Sequence, residues 1–311
     1  MRTITFVLLL CLIMILGGCR RNSRAKGDRL YVVTTTGMIQ DIVRNLGKDH
    51  LQVVALMGPG VDPHLYKATA SDTRKLYLAD IIFYNGLHLE GKMIPILKKM
   101  RTKAVYAVTE EIPRNLLRKP PQMHNAYDPH VWFDVSLWIR AAKKVQSVLE
   151  KQDPSFAEQY RKNGTMYQSK LQNLHKWVLK KIASIDKEKR ILVTAHDAFG
   201  YFGQAYNIKV IGLQGISTAA EYGIRDIERV VDMLVKCKIR AVFVESSVSR
   251  KSIEAVIQGC QSQGHSVKIG GSLFSDAMGP EGTPQGSYVG MVKHNVNCIV
   301  AALGDKTEDG Q

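Results

Sequence analysis

From residue 30 onward the chain alternates two patterns. Short runs rich in Val, Ile and aromatic residues read as buried strands, and longer segments whose apolar residues return every three or four positions read as helices. In the first half the predicted strands are LYVVTT (30–35), QVVALM (52–57), IIFYN (81–85) and AVYAV (104–108). Each precedes a helical pattern: one through Asp41, Ile42 and Val43, one around 71–79, one carrying Met93, Ile96 and Leu97, and one from about Val135 to Glu150. The second half repeats the plan with RILVTA (190–195), KVIGLQ (209–214), AVFVES (241–246) and SVKIGG (266–271). Its helices fall around Tyr201, through Ile227, Val230 and Leu234, from Ser252 to Gln263, and at about 288–303. Strands alternating with helices imply parallel sheets covered by helices. The expected fold class is α/β, with two lobes, each a mainly parallel four-stranded sheet with flanking helices.

Between the halves, residues 155–185 place Phe156, Tyr160, Tyr167, Leu171, Leu174, Val178, Ile182 and Ile185 on one face of a single helix. Asp153 is the predicted N-cap and Pro154 the first helical residue. At 1.5 Å per residue such a helix is a rod of roughly 45 Å, long enough to run along both lobes in place of a flexible hinge. Gly164 is its weak point. The expected organisation is a signal peptide (1–18), a basic tether (19–29), an N-terminal lobe (30–152), a linking helix (153–186) and a C-terminal lobe (187–311).

The first residues change the picture of where the protein works. MRTITFVLLLCLIMILGGC has one early arginine, an apolar run too short for a membrane span, and a small-residue pair before Cys19. The ending resembles a bacterial lipobox, which implies cleavage before Cys19 and its lipidation. The formal charge is +15, but RRNSRAKGDR directly after Cys19 suits an anionic membrane surface, and the remaining lysines and arginines are spread over helices. No nucleic-acid-binding motif occurs. Cys237, Cys260 and Cys298 are widely spaced, without a C-x-x-C, and each sits in an apolar helical stretch as a small hydrophobe; one disulfide among them is open in an oxidising compartment.

The tripeptide Asp-Pro-His occurs twice, at 62–64 and 128–130. Proline fixes its own φ and extends the residue before it, so each histidine leaves a stiff loop, which suits directed metal binding; taken alone, either copy reads first as an ordinary Asp-Pro turn. Position adds to this. His64 follows the second strand, His130 the fourth, His196 closes the fifth and Asp276 follows the eighth, and ligands of parallel sheets sit beyond the carboxyl ends of strands. Three imidazoles and one carboxylate can close a four-coordinate cation site. Glu245, at the end of AVFVES, is a candidate neighbour of that site. Asp62, Asp128 and Asp134 read first as loop caps and second as acceptors for ring N–H groups. His88 and His124 read as residues of a cleft edge, His50, His175, His265 and His294 as structural, and Trp132 and Trp138 as core.

The stretches MGPGVDPHLY, ADIIFYNGLHLE, YDPHVWFD, VTAHDAFGYF, LQGIST and GGSLFSDAMG together resemble the cluster A-I metal-binding substrate-binding proteins of bacterial ABC importers, over nearly all of residues 30–305. The resemblance implies two α/β lobes joined by one rigid helix, with a divalent transition metal, Zn2+, Mn2+ or Fe2+, buried between them. It assigns the ligands to His64, His130, His196 and Asp276. Many members carry a glutamate where His196 stands, and zinc-dedicated members often carry a His- and acid-rich loop where this chain offers only His124. The resemblance further implies an exported, lipid-anchored monomer that serves an ABC permease membrane subunit and its cytoplasmic ATPase, without catalysis. The competing readings are a zinc hydrolase using a metal-bound water, with Glu245 as base, a siderophore-binding receptor of the same two-lobe shape, and an adhesin with a structural metal.

Overall fold

A computed structural model of the chain describes residues 29–100, 104–123, 125–219 and 223–304. The signal segment, Cys19, the tether up to residue 28 and His124 lie outside the described residues.

The first sheet contains β1 (Leu30–Thr34), β2 (Leu51–Ala55), β3 (Ile81–Tyr84) and β4 (Ala104–Ala107) in the order β2-β1-β3-β4, all parallel. Successive strand residues point to opposite faces. Val32, Ile81 and Phe83 therefore join one core, while Val33 and Ile82 join another with Leu76, Met93 and Leu97. Helices α1 (Gly37–Gly47), α2 (Ala70–Leu78) and α3 (Ile94–Lys99) follow the first three strands. The start of α2 is fixed by a capping box in which Thr69 and Asp72 satisfy each other's backbone N–H groups.

Helix α4 (Val135–Gln152) starts at Asp134, whose carboxylate accepts from the Ser136 N–H at 2.8 Å. The next helix departs from expectation at its start. A single 3₁₀ turn, Pro154–Phe156, precedes α5 (Ala157–Ala183), and Asp153 does not cap it. Asp153 ends α4, its N–H bonded to Leu149 O, and its carboxylate accepts from the Tyr160 hydroxyl at 2.7 Å instead. The apolar face is otherwise as expected: Tyr160, Tyr167, Leu171, Leu174, Val178 and Ile182 are buried, while Phe156 stays partly exposed beside His50. Twenty-seven residues give a rod of about 40 Å. Its partners change along its length. Asn163 donates to Leu46 O and Tyr167 to Asp41, both on α1, and Gln168 meets Gln146 on α4. Farther along, His175 bonds the Tyr206 hydroxyl and Trp177 lies 5.8 Å from the Lys293 ammonium. One helix thus packs against elements of both halves.

The second half has β5 (Ile191–His196) paired with β6 (Lys209–Gln214), and β7 (Ala241–Glu245) paired with β8 (Lys268–Leu273), each parallel. The two pairs form separate ladders, with β5 lying against β7. The β7–β8 register slips by one residue after Val242. Helices α6 (Gly200–Tyr206), α7 (Ile224–Lys236), α8 (Lys251–Ser262) and α9 (Tyr288–Leu303) complete this half. Cys260 is buried, Cys298 half-buried, and Cys237 exposed at the end of α7, so only Cys260 is the buried hydrophobe the pattern suggested; all three are free.

One hydrophobic core runs across both halves, from Val32, Trp138 and Leu149 to Leu192, Phe243 and Tyr288. Trp132 is a polar bolt within it. Its Nε1–H donates to Ser275 O at 3.0 Å, and the Tyr288 hydroxyl donates to Trp132 O at 2.6 Å. No helix among the described residues is long and apolar enough to cross a membrane.

Candidate metal centre

The two Asp-Pro-His loops have one construction. Asp62 Oδ1 accepts from the His64 backbone N–H at 2.8 Å, and Asp128 Oδ1 accepts from that of His130 at 3.0 Å. Each aspartate closes a local turn that the proline stiffens, and each imidazole leaves in a fixed direction. The caps are themselves tied down: Thr218 donates to Asp62 Oδ2 at 2.5 Å, and Arg118 pairs with Asp128 Oδ2.

The structure brings His64, His130, His196 and Asp276 together, with one donor atom from each lying within 4.8 Å of every other. His64 Nε2 is 3.2 Å from His130 Nε2. From Asp276, Oδ1 is 3.4 Å from His130 Nε2, while Oδ2 is 3.3 Å from His196 Nε2 and 3.8 Å from His64 Nε2. A tetrahedral ion with bonds of about 2.0–2.2 Å spaces its ligand atoms by about 3.3–3.6 Å, and the observed contacts bracket that range. All four residues are buried: His130 and His196 are 0% exposed, Asp276 1% and His64 5%.

The ring orientations explain why Nε2 is the atom that faces inward. Asp128 Oδ1 lies 2.8 Å from His130 Nδ1 and Glu245 Oε2 lies 2.5 Å from His196 Nδ1. A carboxylate can only accept, so each Nδ1 carries a proton, and once Nε2 gives up its own proton to an incoming cation its lone pair faces the centre. Glu245 also accepts from the His196 backbone N–H through Oε1, at 2.8 Å, and so bridges the ends of β5 and β7. His196 Nε2 and both Asp276 oxygens are buried and make no hydrogen bond. Orphaned buried polar atoms are costly, and a cation at their meeting point would satisfy all three at once.

Electrostatics follow from crowding. Burial disfavours charge on every ring. For His64 it wins, and the pKa falls to about 3. For His130 burial is outweighed by the bonded Asp128 and by Asp276, which push the pKa up to about 9. For His196 burial is outweighed by Glu245 and Asp276, which hold the pKa well above the usual imidazole value. Burial would raise Asp276, yet the charges on His196 and His130 hold it well below the carboxylate range. A cation entering this cluster therefore competes with protons, chiefly on His130 and His196.

The remaining sequence candidates divide. Asp62 caps its loop, Asp134 caps α4, and Asp128 caps its loop and also holds the His130 ring. His88 is exposed, with a left-handed backbone (φ 68°). His265 and His294 bond backbone carbonyls, and neither stands in the cluster. Two contributors were not read from the sequence. Trp132 lies edge-on to His130, 5.2 Å between ring centroids, and fixes the carbonyl before Asp276. Arg118 anchors Asp128. Local pattern carries no signal for either, because both act across 10 to 143 positions of chain.

Comparison with known proteins agrees with this geometry. The family pattern of zinc-uptake complex component A, periplasmic (ZnuA), matches residues 32–302. The chain is 51% identical over 291 residues to the manganese-binding lipoprotein MntA of Bacillus subtilis, covering 93% of this chain and 95% of that one. It is 32% identical over 311 residues to the metal ABC transporter substrate-binding lipoprotein SloC of Streptococcus mutans, covering 97% and 99%. The solved structure of the periplasmic zinc-binding protein TroA from Treponema pallidum superposes with a TM-score of 0.88 at 47% identity, over 89% of this chain and all of that one. Motifs, fold and match length agree: the chain belongs to the zinc-uptake complex component A family of periplasmic proteins.

Proposed function

We propose that this chain captures a divalent transition-metal ion outside the cytoplasm and hands it to an ABC permease driven by a cytoplasmic ATPase. His64, His130, His196 and Asp276 are the cargo's ligands in this reading, three neutral nitrogens and one anionic oxygen. The observation that carries it is the meeting of those four buried donors within 4.8 Å, with the Nε2 atoms of His130 and His196 turned inward by Asp128 and Glu245. Zn2+ and Mn2+ are the candidate cargoes, since relatives are named for both. A nitrogen-rich set binds zinc more tightly than manganese, so supply and the permease select between them in the cell.

The protein works as a monomer of two lobes, 30–152 and 187–311, joined by the segment 153–186, and is exported and anchored through lipidated Cys19. Several relatives carry the word lipoprotein in their names. A hydrolytic role is disfavoured, because Glu245, the base such a mechanism needs, already accepts from both the backbone N–H and the ring of His196. Equilibrium dialysis with elemental analysis tests the proposal: the intact protein retains one Zn2+ or Mn2+, and His130→Ala retains none at micromolar metal. Equal retention by the variant refutes it.

A further inference from the structure

Two cavities reach the buried cluster from different sides. One, of about 320 Å³, reaches Asp276 and is lined by residues around Gly37, Gly58 and Gly279; the Arg44–Glu281 ion pair, 2.6 Å, forms part of its wall. The other, of about 300 Å³, ends on His64 and is lined by His88, Lys92, Met123, Ile216 and Ser217 among others. His64 is the most exposed of the four cluster residues, at 5%.

The second cavity carries an unusual backbone. Gly86, Leu87 and His88 are consecutive residues with φ of 88°, 52° and 68°. Glycine adopts this region freely, but leucine and histidine do so at a cost, and such strain persists only where surrounding structure over-determines it. Here the clamp is Glu90, fully buried. Its carboxylate accepts from the Thr35 hydroxyl at 2.7 Å and from the backbone N–H groups of Asn85 and Gly86 at 2.6 and 3.3 Å. Asn85 in turn donates to Pro129 O at 3.0 Å and so joins the strained loop to the second Asp-Pro-His turn. The consequence of the clamp is that an exposed imidazole stands in the wall of the cavity that ends on His64. Among the described residues that line it none is acidic, and Lys92 is positive. Nitrogen and thioether donors are the groups it offers.

We propose that this cavity is the route by which the metal reaches and leaves the cluster, and that His88, with Met123 beside it, is a transient ligand on the way. The inference rests on the proposed function but goes beyond it: it assigns a path and a staging residue, not an equilibrium ligand. A staging ligand lowers the barrier for entry and exit alike, so its removal slows both while leaving affinity unchanged.

Stopped-flow mixing with Zn2+ alone, followed by release to a chelator, reads this out. His88→Asn is the variant, because asparagine tolerates the left-handed backbone and keeps the loop intact. Capture and release both slow by about tenfold, with the dissociation constant within about twofold of the parent. Ser217→Trp, which fills the same cavity, slows both in the same way, while Gln40→Trp, which fills the cavity ending on Asp276, does not. The proposal is overturned if His88→Asn leaves both rates unchanged, if it raises release alone, or if only Gln40→Trp slows exchange. In each of those cases zinc retention by the parent and its loss in His130→Ala keep the importer reading intact.

Discussion

Glu245→Gln is the substitution in which geometry translates most directly into affinity. Glu245 is 4% exposed and accepts two hydrogen bonds from His196, one from the backbone N–H at 2.8 Å and one from Nδ1 at 2.5 Å. Glutamine is nearly isosteric but has one acceptor oxygen. Its amide nitrogen must face one of two N–H donors. Either a bond is lost, or the imidazole moves its proton to Nε2, where it occupies the lone pair that faces the cluster. Hydrogen bonds to charged acceptors contribute about 1.5–3 kcal/mol and neutral ones about 0.5–1.5, so the swap costs roughly 1.5–2.5 kcal/mol. That corresponds to a 10–100-fold loss of zinc affinity near pH 8, the range seen when a partner of a ligating histidine is removed. Proton linkage supplies a second readout. Glu245 is the leading group holding the His196 pKa up, so the parent must expel a proton from His196 as well as from His130. Removing that charge eases proton competition at His196, so between pH 6 and 8 log K of the variant falls less steeply with acid than that of the parent, and the deficit narrows on acidification. Competition titration against a chromophoric chelator across that range measures both. Unchanged affinity at pH 8, or an unchanged slope, refutes the assigned role of Glu245.

Other outcomes follow from the same contacts. Binding to the folded state alone stabilises the protein by about 4 kcal/mol at a thousandfold excess of metal over its dissociation constant; a denaturant midpoint that does not move with Zn2+ contradicts a preformed site. Asp72 is held down to about pKa 2 because bonds from Tyr66, Thr69 and Lys75 outweigh burial, which would raise it. Its folded pKa lies below the ordinary value of 3.8, so its contribution is present above about pH 4 and lost as pH falls through 2. Asp72→Asn therefore costs about 2 kcal/mol at pH 7 by urea unfolding, a deficit that shrinks toward pH 2. Trp132→Phe leaves the buried Ser275 carbonyl without its donor and destabilises the protein by about 1–3 kcal/mol; an unchanged melting temperature in the metal-free state contradicts the bolt.

Much of this architecture was legible because parallel strands buried on both faces read as continuous β-branched runs. The predicted run 241–246 corresponds to Ala241–Glu245 and 209–214 to Lys209–Gln214. The convergence of His64, His130, His196 and Asp276 was legible by a different logic, since strand ends on one side of parallel sheets share a region of space. What escaped was long-range pairing. Glu245 was read as a neighbour of the site, but nothing near it in the chain announces its partner His196, 49 positions away; the bond exists because β5 lies against β7. Trp132 looked like core because its ring is core, while its Nε1–H reaches Ser275, 143 positions on. Asp153 failed as a cap because a tight turn between two helices gave its carboxylate a better partner in Tyr160.

X-ray absorption at the zinc edge of the loaded protein tests the central claim most directly. The predicted spectrum has three imidazole nitrogens and carboxylate oxygen at about 2.0–2.2 Å, and His130→Ala loses one imidazole from that shell. A shell of oxygens alone, or three imidazoles that persist in His130→Ala, would contradict it.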